Sequence, residues 1–453
     1  MRRSVLFILF ALALTRPLTA KVIYHTFPRI CPRSEQFNVR VEAKETSVYH
    51  TSAGNFVSFE SDEPVSVQVL CSEPPQGVRI LPLRLGIEPV IESSSIRFEL
   101  PQGEKVLVEI DNMQQLFVYS NDIQPRPDPD TPGLRFYKSG QVYEVGKLKL
   151  EDNEQVYIEG GAVVRGTIRA TSAKNITISG YGVVDGGYYS HYGEHSHFIR
   201  LQDCVNASVE DIIMIEPPGW MLVLYHSSDV SIDNIKQLGS GHGSDGIDIV
   251  ASHKVRINNC MLRNGDDCIV VKSFTRDRYS VPILNTHSGV DDVLVTNCSV
   301  QSNGGGQAFE IGHELVDNPV THIRYIDCDV LGVHGQGGVF GIHNCDGAMV
   351  SDVLYQDIRV DHYYNKLIDM RIVKSRWSRM PERGHVENVV MQDIHVTNTI
   401  YNPGYSISLI GGYDAEHKIK NVTIENFYIN GEKIINADDL DLYIKQAEDV
   451  VIQ

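Results

Sequence analysis

Three carboxylates in this chain have the spacing to do chemistry together. Asp245 opens the strand-like run DGIDIV, and Asp266 and Asp267 open a second, DDCIVVKS. Asp245 precedes Asp266 by 21 residues, about one rung of a β-solenoid. A coil of that period stacks Asp245 beside the Asp266–Asp267 pair. Carboxylates gathered in one groove suit cleavage of a glycosidic bond: one acid protonates the leaving oxygen while another activates water across the sugar ring. Crowding should raise at least one of their pKa values, and the cluster then titrates as a unit. The plainer alternative, aspartates that cap solenoid turns, accounts better for Asp185, Asp211, Asp233 and Asp327. Asp248, three residues after Asp245, reads equally well as structural or functional.

Elements must hold these groups. From about residue 136 the text is a series of short β-branched phrases, each closed by Asn, Asp or Gly: NITISGYGVVDGG, NASVEDIIMIEP, KVRINNCML, DVLVTNCSV, THIRYIDCDV, VENVVMQDIHV. Short strands and turns, with no room for helices between them, predict a right-handed parallel β-helix over residues 136–453, its Val and Ile stacked coil on coil. Residues 21–135 carry strand-like runs (FVSFES, VSVQVLC, SIRFEL, KVLVEI) without helical periodicity, which predicts a small antiparallel β-sandwich. It ends at the proline-dense QPRPDPDTPG. That module is expected to cap the N-terminal end of the solenoid. Residues 1–20, MRRSVLFILFALALTRPLTA, have the charged, apolar and small-residue parts of a secretory signal.

Composition narrows the partners. The chain has 453 residues, 42% hydrophobic and 22% charged, with a formal net charge of −18. No basic stripe is available for nucleic acid, and no later stretch is long and apolar enough for a membrane span. The expectation is a secreted monomer, extracellular or periplasmic, acting on a polysaccharide without metal or cofactor. Eight cysteines permit disulfides but do not choose a pairing. Cys260, Cys298 and Cys328 end similar phrases and are expected to stack inside the coils. The sequons at Asn175, Asn206, Asn297 and Asn421 fit glycosylation or simply turn edges.

Five ordered motifs then carry a resemblance: GYGVVDGG (180–187), PPGWMLVL (217–224), SDGIDI (244–249), GDDCIVVKS (265–273) and FEIGHE (309–314). Together they resemble the polygalacturonase-like enzymes of glycoside hydrolase family 28. The resemblance implies an inverting glycosidase with Asp266 as general acid, and with Asp245 and Asp267 holding and deprotonating the attacking water. Such a pair needs a gap of roughly 6.5–9.5 Å to admit that water.

The chain departs from the family where substrate is gripped. The family's Gly-His-Gly histidine falls near Gln307, and its Arg-Ile-Lys falls near residues 340–343, where only His343 can carry positive charge. Glu310 adds a carboxylate facing the expected groove. It would repel galacturonate and suit neutral hydroxyls. Those losses resemble the dextranases and isopullulanases of family 49, which share the β-helix, the three aspartates and an N-terminal sandwich. Further groove candidates are His242, Lys272, His313, and the later cations Arg371 and Lys374. The insertion 274–289 is placed to shape the groove. Two other functions remain open: a polysaccharide lyase, which requires calcium-binding acids and a basic proton acceptor, and a non-catalytic carbohydrate-binding solenoid.

Overall fold

In a β-helix each strand alternates inward and outward residues, and each turn must reverse the chain in very few residues. Both demands are met here by composition. In the computed structural model, which describes residues 20–191, 196–274, 289–398 and 407–453, the chain from Leu134 to Ile452 winds into one 29-stranded sheet. Its strands pair in parallel with those one coil later. The leader reading of 1–20 falls almost wholly outside the described residues, and so does all but the two end residues of the insertion at 274–289. The only helices among the described residues are the 3-10 turns Leu83–Leu85 and Asp438–Leu440. No described helix is long and apolar enough to cross a membrane.

One ladder of the coil matters most for function. It stacks Trp220–Tyr225, Ile247–Val250, Ile269–Ser273, Phe309–Leu315, Gly338–Asn344 and Lys366–Ile372. Its inward row is Leu222, Ile247, Ile269, Phe309, Phe340 and Ile368, and each of these has no exposed surface. Burying such side chains is worth about 1.5–3 kcal/mol each, and stacking extends that gain along the axis. Tight corners fall at Asp211, Asn234, Asn259, Asn297 and Asp327, all with positive φ. Asn and Asp tolerate this left-handed conformation better than other residues with a side chain, which is why so many strand phrases close on them. The four sequon asparagines, Asn175, Asn206, Asn297 and Asn421, are corners of the same kind. Their amides hydrogen-bond to an Asn one coil earlier.

Residues 22–122 form a six-stranded and a five-stranded sheet that enclose a core including Val39, Val67, Phe98, Val57, Phe59 and Val118. One pairing departs from the antiparallel expectation: Leu116–Asp122 runs parallel to Gly54–Ser61. The sandwich also does not cap the solenoid end. Phe27, Tyr49, Phe56 and Leu107 pack on outward apolar residues of successive coils, Val163, Val183, Ile213, Met261 and Leu331, so it lies along a lateral face. Buried lysines fix the junction: Lys105 Nζ donates to Asn234 and Asn259 (3.0 and 2.7 Å), and Lys236 Nζ to Asn121 (2.7 Å). All eight cysteines are buried free thiols. Cys260, Cys298 and Cys328 stack as expected, each donating to the carbonyl two residues earlier.

Candidate active site

The ladder's alternation decides which side chains reach the groove. Asp248 sits between inward Ile247 and Ile249, Glu310 between Phe309 and Ile311, and Asp369 between Ile368 and Met370. Register puts these three in one outward row, with Val270 and Gly341 in the intervening coils.

Ahead of each strand the same alignment continues. Gly246 N–H donates to the Asp267 carbonyl and Cys268 N–H to the Gln307 carbonyl (2.8 and 2.9 Å). Asp245 therefore aligns with Asp267, and Asp267 with Gln307. Ile247 pairs with Ile269, a rung one residue longer than the Asp245–Asp266 interval, so Asp266 stands one position ahead of the stack. It is half-buried, whereas Asp245 and Asp267 are 4% and 7% exposed. The backbone comes this close because of glycine: a Cβ on Gly306 would lie 2.0 Å from the Asp267 nitrogen.

Each carboxylate is held by a different donor. Gly243 N–H donates to Asp266 Oδ2 and Gln307 N–H to Asp267 Oδ1, both at 2.7 Å. Lys272 Nζ bridges Asp245 Oδ2 (3.0 Å) and Asp248 Oδ1 (2.8 Å), with its ammonium 3.9 Å from the centre of the Trp220 ring. Burial pushes Asp245 well above the usual carboxylate range; Lys272 opposes the rise, while Asp248 and Asp266 add to it. Asp267 is raised by burial and by Asp266, Asp245 and Glu310. Burial lifts Asp248 to about 6 against the pull of Lys272, and the surrounding acids hold Lys272 firmly protonated despite its burial. Burial and mutual repulsion together make the group harder to ionise fully than isolated carboxylates.

A second cluster adjoins the first. His343 Nδ1 contacts both oxygens of Glu310 (2.8 and 3.0 Å), and its Nε2 lies 3.3 Å from Asp369. Burial alone would lower the imidazole pKa, but Glu310 and Asp369 outweigh it and lift His343 to about 9. Arg371 binds Asp369 through Nη2 (2.9 Å) and Nε (2.7 Å), and Lys366 Nζ joins at 2.9 Å. His313 stacks on His343 with ring centres 4.6 Å apart, and burial lowers it to about 4. Ligand atoms of Glu310, His313 and His343 lie within 4.8 Å of one another. Arg371 Nη2 also lies 3.0 Å from His343 Nε2, so the same imidazole joins the ion-pair cluster of Glu310, Asp369 and Arg371.

Lys272, Gln307, Glu310, His313 and Arg371 thus gather with the aspartates. Gln307 sits where the family's histidine falls, and its Oε1 accepts from Gly338 N–H. His242 is exposed on the preceding loop, where its carbonyl meets His191 Nε2 (2.8 Å), and Lys374 is exposed beyond its strand. Sequence reasoning underweighted Asp248 and missed Asp369. The available signal was a charged residue between two strand apolars in a repeating ladder.

A profile for Glycosyl hydrolases family 28 matches residues 141–436. The probable rhamnogalacturonase A of Aspergillus niger is 26% identical over 178 residues, covering 34% of this chain and 39% of that protein. The exopolygalacturonase of Cochliobolus carbonum is 25% identical over 212 residues, covering 40% and 46%. The chain therefore spans less than half the length of these curated relatives. Dex49A from Penicillium minioluteum has the same fold, with a TM-score of 0.68 over 95% of this chain and 96% of that one, at 14% identity.

Proposed function

The chain belongs to glycosyl hydrolases family 28, and from that premise we propose that it is a secreted, monomeric inverting hydrolase of O-glycosidic bonds in a pectic polysaccharide. In this reading the β-helix of 136–453 carries catalysis and the sandwich of 21–135 supports it from the side. The observation that carries the proposal is the carboxylate group on adjacent coils, with Asp245 tied to Lys272 and Asp266 and Asp267 each fixed by a backbone N–H.

Asp266, the least buried of the three, donates its proton to the leaving oxygen as the anomeric C–O bond breaks. Asp245 and Asp267 orient a water on the opposite face and take its proton as the new C–O bond forms. Lys272, ion-paired to Asp245, favours the ionised form of that carboxylate, which suits it to take the proton of the attacking water. The backbone donors fix both carboxylates before substrate arrives, which lowers the reorganisation needed at the transition state.

Asp266→Asn tests this. Reducing-end release from polygalacturonate and rhamnogalacturonan should fall by about 10²–10⁴-fold, with substrate binding retained. The first-formed sugar anomer of the native enzyme should be inverted by NMR. An unchanged rate removes Asp266 from the chemistry, and a retained anomer refutes the mechanism.

A further inference from the structure

The loop 239–244, GSGHGS, carries the backbone N–H that fixes Asp266. It has few side chains to pack, and Gly241 and Gly243 take positive φ (88° and 68°), a conformation glycine adopts without steric cost. Such a segment keeps one shape only where other groups hold it. Its two ends are tied to the coil that bears Asp266. Gly239 N–H donates to the Arg263 carbonyl (2.8 Å), and Arg263 Nη1 donates back to the Gly239 carbonyl. Gly265 N–H donates to Ser244 Oγ (2.9 Å), whose hydroxyl closes on the Gly241 carbonyl (2.8 Å). Between these ties one side of the loop is unpacked: it faces a cavity of about 220 Å³ whose lining includes Ser240, Gly241, Arg263, Gly265 and Asn303.

The sandwich supplies a restraint in the middle. Ser52 sits in the turn between the strands Tyr49–Thr51 and Gly54–Ser61, a turn closed by Thr51 Oγ1 on the Gly54 carbonyl (2.8 Å). The backbone N–H and the hydroxyl of Ser52 donate to the two oxygens of Glu216, both at 2.6 Å. A hydroxyl has one proton to donate. In the 2.5 Å contact between Ser52 Oγ and Ser240 Oγ, Ser240 is therefore the donor. The chain of bonds runs from Ser240 to Ser52 to the Glu216 carboxylate, and a bond to an ionised acceptor is of the stronger kind. Register explains the reach of this turn. Ile215 pairs with Leu238, so Glu216 lies one coil before Gly239. Leu238 pairs in turn with Arg263, and that coil leads directly into Gly265 and Asp266. Ser52 thus bridges the two coils that come just ahead of the acid.

We propose that Ser52 is a positioning residue for the reaction: by holding Ser240 it sets the loop 239–244, and through Gly243 N–H it fixes which oxygen of Asp266 faces the leaving group. With Oδ2 accepting from that N–H at 2.7 Å, Oδ1 is left to carry the proton delivered to the glycosidic oxygen. This role presupposes the hydrolase reading above, with Asp266 as the acid, and it gives the sandwich a part in the chemistry. The loop is also met by His191, whose Nε2 lies 2.8 Å from the His242 carbonyl. Losing the Ser52 contact should therefore loosen the loop without unfolding it.

The test compares native protein with Ser52→Ala, Ser52→Thr, Ser240→Ala and the double variant Ser52→Ala/Ser240→Ala. For each, kcat and KM are measured on polygalacturonate and rhamnogalacturonan, and the urea-unfolding midpoint alongside. Ser52→Ala should lower kcat by about 3–10-fold, the scale of one hydrogen bond expressed in the transition state. Its KM should stay within about 2-fold of native, because no substrate contact is removed. Ser52→Thr keeps the hydroxyl and should recover most of the loss. Ser240→Ala should match Ser52→Ala, and the double variant should be no slower than either, because all three break the same link. An unchanged kcat in folded Ser52→Ala overturns the inference and leaves the hydrolase reading intact. So do a loss confined to KM, a Ser52→Thr variant as slow as Ser52→Ala, and a double variant whose losses multiply. Native protein inactive on both polymers overturns the hydrolase reading and the inference with it.

Discussion

His343 offers a quantitative check on the electrostatics of the second cluster. Its imidazole is 1% exposed between Glu310 and Asp369 and is raised from an ordinary 6.5 to about 9. Because the folded value is the higher one, the folded chain binds the proton more tightly than the unfolded chain does. The stabilisation is therefore fully present below about pH 6.5 and is lost as pH rises through about 9. At about 1.4 kcal/mol for each pH unit that separates the folded and unfolded values, the site contributes about 3 kcal/mol at pH 6. The perturbation is Glu310→Gln combined with His343→Gln, which keeps two hydrogen-bonding side chains of similar reach and removes the charges together. Replacing His343 alone would strand Glu310 in the interior and add its own pH dependence. Urea unfolding of native and doubly substituted protein, followed from pH 6 to 9.5, should give a stability difference that shrinks by about 3 kcal/mol across that range. A difference that stays flat with pH would show that His343 is not a buried cation, and the ion-pair account of this cluster would fail.

Two further outcomes follow from the same geometry. Lys272→Met keeps the aliphatic stem against Trp220 but strands Asp245 and Asp248, so it should cost about 3–5 kcal/mol in urea unfolding at pH 7, with a smaller cost at pH 5, where the stranded acids take up protons. Gly341→Ala places a methyl 2.1 Å from Glu310 Oε2, 2.8 Å from Gln307 Cγ and 3.2 Å from the Phe309 carbonyl. Over-packing of that kind should lower the urea-unfolding stability by about 1–3 kcal/mol, and Glu310→Ala should not restore it, because it leaves His343 without its buried partner.

Much of the architecture was legible because a solenoid is close to a one-dimensional object. Phrases such as KVRINNC and DVLVTNC record a local rule, inward apolars every second residue and an Asn or Asp able to turn with positive φ, and the rule repeats wherever the chain obeys it. The carboxylates Asp245, Asp266 and Asp267 were legible for the same reason: one rung of sequence separation means adjacency in space. Their pairing was harder to read. Asp245 aligns with Asp267 because the rung at this coil is one residue longer than the visible interval, and loop lengths hide such offsets.

Non-local packing decided the rest. The sequence announced a sandwich but not its berth, because docking depends on which outward residues of Val163, Ile213 and Met261 line up across coils, a pattern spread over a hundred residues. It named Arg371 as a free cation able to meet a substrate carboxylate, and only the folded chain shows that guanidinium already committed to Asp369. The sequence by itself determined the repeat, the inward core and the three acids, all of which follow from short-range periodicity. The tertiary structure alone decided which charges neutralise one another, because ion pairing depends on register between coils 20 to 40 residues apart and on a burial that no single strand can show.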